Sequence, residues 1–183
     1  MNRRILSLDP GTRNTGYCVL LQRDKWWRLL EAGCIPATKG TSLEKMFEML
    51  SGVRQLITRL YPPVNEVWLE LYVPYGARSM MMEMISLVGG IFTLCTLLPK
   101  GRRRGQVANN LKVRGIESSR WKRKIKQGKK LTKQDIAEKL SDLNVDYVGV
   151  DIEKFNSHAW DAVGIALYAI ENKEGYSEQW VTQ

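Results

Sequence analysis

Short apolar runs near the start of the chain predict a meander of β-strands. Residues 5–8 are mostly apolar and lead to Asp9, and a second apolar run covers residues 16–21. Pro10 and Gly11 break the sequence between them, because proline donates no ladder hydrogen bond and glycine adopts turn conformations readily. We therefore predict a β-hairpin over residues 4–21 and a third strand over residues 25–35.

The later segments predict one strand and several helices. Residues 66–72 are nearly all apolar, as expected for a strand covered on both faces. Apolar positions three and four residues apart predict helices over residues 41–61, 79–98, 131–143 and 158–171, with Thr41 or Ser42, Thr132, and Asn156 or Ser157 as caps. The helix over residues 79–98 is apolar on nearly every side, so one face is expected to pack on a second subunit. We expect one domain, residues 1–175, and a polar tail, residues 176–183.

The distribution of charge points to a polyanionic partner. The net charge is +9, and residues 100–133 contain fourteen basic residues and one acidic residue, which gives this segment +13 and leaves −4 for the rest. Binding to a nucleic-acid backbone would neutralise such a segment. We expect residues 122–130 to form a loop in the absence of DNA, and Trp121 either to pack in the core or to stack on a base.

The cysteines and the apolar stretches of the sequence indicate where in the cell the protein is expected. The three cysteines form no CxxC pair, so neither a structural zinc site nor a disulfide framework is indicated. The apolar stretch over residues 84–99 is shorter than the ~20 residues that a membrane span needs, and the N-terminus does not resemble a secretory signal. We expect a soluble, cytoplasmic protein that does not bind membranes.

Four polar side chains begin or interrupt apolar segments. Asp9 ends the first strand, and Glu70 lies among apolar residues of the fourth. His158 and Asp161 are three residues apart and share one face of the last helix. A buried carboxylate needs a partner, whereas Glu66 is expected to be a solvated edge residue. From spacing alone, a turn-capping role for Asp9 and a structural role for His158 remain equally compatible with the sequence.

These four groups would form a metal site if the fourth strand lay parallel beside the first. Asp9 and Glu70 would then be neighbours, and a helix docked on the sheet would add His158 and Asp161. Three carboxylates this close require a cation to remain ionised, and oxygen ligands favour Mg²⁺ or Mn²⁺. Two ions about 4 Å apart can activate water and stabilise the leaving oxygen in phosphodiester hydrolysis. The single histidine, His158, would bind one metal or accept a proton from the water.

Several stretches of the sequence resemble the RuvC family of Holliday-junction resolvases, in the ribonuclease H-like superfamily. They are LSLDPGTRNTGYCVL, EAGCIP, VWLELY and SHAWDAVGIALYAI, and with the basic segment ending LTKQDI they span residues 4–170. The resemblance implies an α/β fold with a five-stranded mixed sheet flanked by helices, a homodimer, and Mg²⁺-dependent nicking of two opposed strands of a four-way junction. It also implies a metal-binding catalytic tetrad of Asp9, Glu70, His158 and Asp161, with two Mg²⁺ ions that Mn²⁺ can replace.

The resemblance extends to residues that contact branched DNA. The stretch around Lys122 and Lys133 is similar to the family's DNA-contacting lysines, and an aromatic residue after the strand-four glutamate enters the junction in that family. The predicted DNA-binding residues are Arg13, Tyr72, Tyr75, Arg78, Lys122, Arg123, Lys126, Lys129, Lys130 and Lys133. Leu71 stands where the family often has glutamine, and the basic segment is unusually long. Both departures are consistent with a relaxed, phage-type nuclease that cleaves branched DNA.

Three other functions account for parts of the sequence. DPGTRNTG also resembles the phosphate loop of actin-like and sugar-kinase ATPases, although that architecture needs two such domains and leaves the basic segment unexplained. A catalytically silent junction-binding protein would need the basic segment but not the carboxylates. An RNA-processing member of the same superfamily would use both.

Overall fold

The first strand lies at the centre of a mixed sheet. The computed structural model describes residues 3–38, 40–71, 78–101, 103, 106, 108–126 and 130–172. Within them, strands β1 (Arg4–Asp9), β2 (Asn14–Arg23) and β3 (Trp26–Pro36) form the predicted antiparallel meander. On its other side β1 pairs in parallel with β4 (Glu66–Leu71). The mixed sheet that the sequence predicted is therefore confirmed.

In the described part of the chain, the sheet has six strands rather than the expected five. Strand β5 (Lys112–Glu117) pairs in parallel with β4, and the two-residue strand β6 (Val145–Asp146) pairs with β3, so the order is β5-β4-β1-β2-β3-β6. The pattern of side chains did not reveal β5, because its sequence KVRGIE contains three charged residues and a glycine. Its location at the edge of the sheet tolerates this composition.

The helices begin where the capping residues predicted. Helix α1 (Ser42–Arg59) follows Thr41, α4 (Lys133–Asp142) follows Thr132, and α5 (Ser157–Glu171) follows Asn156, whose side chain accepts a hydrogen bond from Ala159 N at 2.9 Å. Helix α2 spans Arg78–Leu97, and a 3₁₀ turn spans Ile152–Lys154. None of the helices in the described ranges is long and apolar enough to cross a membrane.

The loop predicted for residues 122–130 is wrong in its first half. Helix α3 (Ser118–Ile125) continues directly from β5 and includes Lys122, Arg123 and Lys124. Repulsion among these cations disfavours an isolated helix, but Trp121 is completely buried and anchors α3 to the core. Tertiary packing therefore overrides the local preference. Residues 127–129 of this segment and the predicted tail lie outside the described residues.

The sheet separates two hydrophobic cores. On one face Leu6, Leu8, Val67 and Leu69 pack against α1 and α2. On the other face Ile5 and Trp68 pack against α3, α4 and α5. All six residues of β1 are buried, as expected for a strand covered on both sides. The Ser7 hydroxyl donates a hydrogen bond to the Ala162 carbonyl at 2.6 Å, which ties α5 to the centre of the sheet.

The basic segment is divided between opposite ends of the sheet. Of its described cations, Lys100 and Arg103 precede β5, whereas those of α3 and the start of α4 follow it. Because β5 runs parallel to β4 and β1, its six residues separate the two parts by roughly 20 Å. Only the second part lies at the end of the sheet where Asp9 and Glu70 are found. The described cations of this segment therefore do not all lie beside the tetrad.

A close contact at Gly16 places the first turn of α5. Gly16 is the β2 partner of Asp9, and a Cβ atom there would lie 2.0 Å from the His158 carbonyl oxygen. No side chain fits between the helix backbone and the strand at this point. Gly16 therefore allows the helix start to lie directly over the end of β1.

We expect Gly16→Ala to lower the free energy of unfolding by about 1–3 kcal/mol, because α5 must move to make room for the methyl group. Urea unfolding followed by circular dichroism measures the change. Gly89→Ala is the matched control, since a Cβ at Gly89 in α2 meets no atom within 4 Å. That variant should be neutral or stabilised by up to about 1 kcal/mol. Equal effects of the two substitutions would contradict the proposed close contact.

Candidate active site

Two carboxylates lie side by side where β1 and β4 end. Leu8 pairs with Leu69 in parallel register, so the next residues, Asp9 and Glu70, are neighbours. They point away from the leucines and toward the face covered by α5. Asp9 is only 7% exposed. The predicted parallel arrangement of the first and fourth strands, and the proximity that follows from it, are therefore both present.

Helix α5 brings the histidine to the first carboxylate. His158 lies in the first turn of α5, and its Nδ1 is 2.6 Å from Asp9 Oδ2. Hydrogen bonding to Asp9 raises the pKa of His158, and the nearby carboxylates of Asp161 and Glu70 add to this effect. His158 is thus the hydrogen-bond partner of Asp9 in this arrangement, rather than an isolated residue at a helix start.

The second carboxylate is held by a tryptophan from the basic segment. Trp121 Nε1 donates a hydrogen bond to Glu70 Oε2 at 2.7 Å. A Cβ atom on Gly164 would lie 2.3 Å from the Trp121 ring, so this glycine allows α3 to pack closely on α5. Because Trp121 is fully buried, it packs in the core and is not available here for stacking on a base.

The remaining acid of the predicted tetrad has a lysine beside it. Asp161 lies one turn after His158 in α5, and its Oδ2 is 3.2 Å from Lys122 Nζ. The ammonium of Lys122 also lies 4.9 Å from the centroid of the Trp121 ring. Consecutive residues of α3 therefore contact two different acids of the site.

Burial and mutual repulsion dominate the electrostatics of the site. Burial raises the pKa of Glu70, and the charge of Asp9 raises it further, against the opposing effects of Trp121 and Lys122. Burial likewise raises the pKa of Asp161 in spite of the neighbouring lysine. The folded protein thus disfavours the ionised forms of Glu70 and Asp161. A bound cation would relieve this cost.

The donor set fits a divalent metal ion. Three carboxylates and one imidazole make a set of ligands rich in oxygen, of the kind that Mg²⁺ and Mn²⁺ accept. In the part of the chain that the structure describes, no three acidic, histidine or cysteine side chains already form a metal-binding group. Each acid is instead engaged by a protein partner, and the ammonium of Lys122 supplies positive charge at the same place.

Glu66 and Glu70 lie on the same strand but have carboxylates in different electrostatic environments. The sequence-based expectation that Glu66 is solvated is wrong, because Arg3 forms two hydrogen bonds with its carboxylate, at 2.6 and 2.8 Å. The pKa of Glu66 is lowered: burial acts to raise it, but hydrogen bonding and charge from Arg3 outweigh that effect. Glu66 is therefore a structural ion pair at the opposite end of β4, whereas Glu70 has no such compensating arginine in the described residues.

The predicted DNA-binding residues fall into different groups. Arg13, Arg123, Lys130 and Lys133 are exposed. Lys122 contacts Asp161, as described above, and Lys126 forms a 2.5 Å ion pair with Asp135. Hydrogen bonds from Lys126 and Thr132 lower the pKa of Asp135 to about 2. Lys126 therefore has a structural role in joining α3 to the start of α4.

The other predicted contacts lie outside the described residues. This is the case for Tyr72, Tyr75 and Lys129, and Arg78 is described only as the first residue of α2. Their roles in DNA binding stay predictions.

Two residues of the site were not assigned to it from the sequence. Trp121 and Gly164 are 43 positions apart, and neither belongs to an acidic motif. A single aromatic residue inside a strongly basic run was the one available signal for Trp121. Its contact with Glu70 depends on the path of β5, which the sequence pattern did not predict.

We expect the stability of the metal-free protein to fall as pH rises through the raised pKa of Glu70. Above about 4.5, the folded carboxyl retains its proton while the unfolded one loses it, so the folded state binds more protons. Glu70→Gln removes this titration and keeps an acceptor for Trp121. The variant should show a flatter pH profile and greater stability than wild type at neutral pH.

Urea unfolding in EDTA at a series of pH values measures this effect. The matched control is Glu153→Gln, which alters an exposed carboxylate in the 3₁₀ turn. It should reproduce the wild-type profile. A Glu70→Gln profile that follows wild type would show that Glu70 is not the source of the pH dependence.

A known protein family matches the segment that carries most of the sheet. A family model described as crossover junction endodeoxyribonuclease RuvC matches residues 5–113. RuvC from Sulfurovum sp. strain NBC37-1 is 32% identical over 78 residues, which are 42% of this chain and 48% of that protein. RuvC from Vibrio campbellii is 35% identical over 60 residues, which are 33% of this chain and 35% of that protein. The aligned stretches thus span half or less of these relatives.

Similarity in structure covers nearly the whole chain. Thermus thermophilus RuvC in complex with a Holliday junction substrate superposes with a TM-score of 0.67 at 14% identity, over 94% of this chain and 98% of the other. A second Thermus thermophilus RuvC structure has a TM-score of 0.65 at 17% identity, over 93% and 96% of the two chains. These matches show a common fold. Because the family model also covers more than half of the sequence, the chain belongs to the RuvC family.

Proposed function

We propose that this protein is a metal-dependent endonuclease that binds four-way (Holliday) or other branched DNA junctions and nicks opposed strands by phosphodiester hydrolysis. The observation that carries the proposal is the convergence of Asp9, Glu70, His158 and Asp161 at one end of the sheet. Family membership and the Holliday junction bound to Thermus thermophilus RuvC support the choice of substrate. The predicted cytoplasmic location remains part of this proposal.

The four side chains would hold two Mg²⁺ ions, which Mn²⁺ can replace. When bound, such ions lower the pKa of water and stabilise charge on the attacking and leaving oxygens. Asp9 and Glu70 would contribute oxygens from adjacent strands, and Asp161 would contribute from α5. His158 uses Nδ1 to contact Asp9, so its other ring nitrogen is the one free to bind a metal or accept a proton.

The residues around the tetrad orient it. Trp121 fixes the position of the Glu70 carboxylate by its hydrogen bond, and the Gly16 contact fixes the start of α5 over Asp9. Lys122 lies close enough to Asp161 to meet a phosphate brought to the same acids. We infer that it contributes to phosphate binding at the site of cleavage rather than along a distant part of the DNA.

The DNA surface would continue from α3 to the start of α4. Arg123, Lys130 and Lys133 are exposed there and follow β5 at the end of the sheet that holds the tetrad. Within the described residues, no acid forms an ion pair with any of the three. They are therefore the strongest candidates for contacts with the phosphate backbone.

A homodimer would bury the exposed apolar face of α2. Met82, Ile85 and Leu97 of α2 are each between 48% and 77% exposed, and Met82 lines one cleft with the exposed Leu43 of α1. Exposed apolar side chains of this kind favour association. We expect Ile85→Glu to convert a dimer into a monomer in light scattering at micromolar concentration. A monomeric wild type would contradict this interface.

We expect the protein to nick opposite strands of a synthetic, immobile four-way junction in Mg²⁺, and Asp9→Asn to abolish the nicks. Asp9 is next to both Glu70 and His158, so its loss removes a central metal ligand without altering the basic surface. Labelling each strand in turn locates the products. Binding to the junction in EDTA serves as the control, and the variant should retain it.

Two other results would change the proposal. Binding without cleavage by wild type, in Mg²⁺ and in Mn²⁺, would favour a catalytically silent junction-binding protein. Cleavage of RNA duplex in preference to branched DNA would favour an RNA-processing enzyme.

We expect Lys130→Ala and Lys133→Ala each to weaken junction binding and to reduce its dependence on salt. Each lost phosphate contact should lower the slope of log affinity against log salt by about one. Fluorescence anisotropy over a salt series measures the slope. Arg54→Ala, on the exposed surface of α1, is the matched control and should leave it unchanged. An unchanged slope in both lysine variants would remove this segment from the interface.

A further inference from the structure

A basic cleft lies at the end of the sheet opposite the tetrad. Its volume is about 640 Å³, and it lies where β1 and β4 begin. Its polar lining comes from Arg4, Arg23, Asn65, Asn109 and Asn110, with Tyr61 as its aromatic residue. None of the described residues that line it is acidic. A cleft of this size accommodates a nucleotide-sized ligand.

Arg4 provides an incompletely neutralised positive charge in this cleft. Arg4 is only 7% exposed, and its guanidinium donates to the Pro62 carbonyl, while its Nε has no hydrogen-bond partner. Within the described ranges no carboxylate lies within 4.0 Å of it. Glu31 acts on Arg4 only at longer range and forms its own ion pair with Arg59 at 2.8 Å. A buried cation without a close anion is costly.

The rim of the cleft adds groups that suit a nucleotide. Arg23, Asn109 and Asn110 are exposed, and Tyr61 is 64% exposed. Amide side chains can donate and accept hydrogen bonds, and an exposed tyrosine ring can stack on a base. Gly101 also lines the cleft.

We propose that this cleft is a second phosphate-binding site, which takes a nucleotide unit with its phosphate toward Arg4 and Arg23 and its base against Tyr61. The site lies roughly 20 Å from the tetrad, the length of one six-residue strand. Binding at this site does not require cleavage of DNA, so the site is a feature additional to the proposed nuclease activity. The nucleotide unit is either part of a DNA strand that passes this end of the sheet or a free nucleotide.

Calorimetric titration of the full-length protein with inorganic phosphate and with dAMP, in EDTA, tests the site directly. Arg23→Gln should weaken binding of both by about tenfold, the effect of losing one charge-assisted hydrogen bond. Asn110→Asp, which places a negative charge at the rim, should weaken binding at least as much. Both positions are exposed, so folding should be preserved, and circular dichroism checks it. Arg54→Gln removes an equal charge from α1 outside the cleft and should bind as wild type does.

Junctions with arms of two lengths then identify the source of the nucleotide. If DNA occupies the cleft, Arg23→Gln should weaken binding of a long-arm junction and leave that of a short-arm junction unchanged. If a free nucleotide occupies it, dAMP binding should fall while both junctions bind as before. Wild-type affinity of Arg23→Gln and Asn110→Asp for phosphate, dAMP and both junctions would overturn the proposal. A loss shared equally by Arg54→Gln would also overturn it, because the effect would then be one of net charge.

Discussion

The parallel pairing of β1 with β4 is the constraint on which the site depends. It places Asp9 beside Glu70 at the ends of two buried strands, where burial and the charge of Asp9 raise the pKa of Glu70. Side chains from the helices that cover the sheet form hydrogen bonds with these carboxylates. His158 contacts the first carboxylate and Trp121 the second. The protein thus holds an unfavourable group of acidic side chains at one end of the sheet, as functional sites commonly do.

Two glycines allow the elements around these carboxylates to approach one another. Gly16 lets the backbone of α5 rest on β2, and Gly164 lets the Trp121 ring rest on α5. Both contacts are too short for a Cβ atom, so their effect is steric rather than conformational. Because the elements pack this closely, His158 and Trp121 lie within hydrogen-bond distance of Asp9 and Glu70.

The path of β5 gives the basic segment two locations. The cations of α3 and the start of α4 follow β5 on the side of the tetrad, whereas Gly101, in the stretch that precedes β5, lines the cleft that contains Arg4. A nucleic acid that contacted both would have to extend along the length of the sheet. The net charge alone predicts affinity for a polyanion, whereas the topology determines which cations can act on the same phosphate.

The sequence by itself determined the features that depend on neighbouring residues. The first hairpin, the capping boxes at Thr41 and Thr132 and the start of α5 follow from local propensity. The recognisable motifs indicated the four residues of the tetrad. Only the tertiary structure decided the partner of each acid: Glu66 faces Arg3, whereas Glu70 faces Trp121. These contacts join residues 51 or more positions apart. They depend on the positions of distant chain segments in the fold, so no local pattern encodes them.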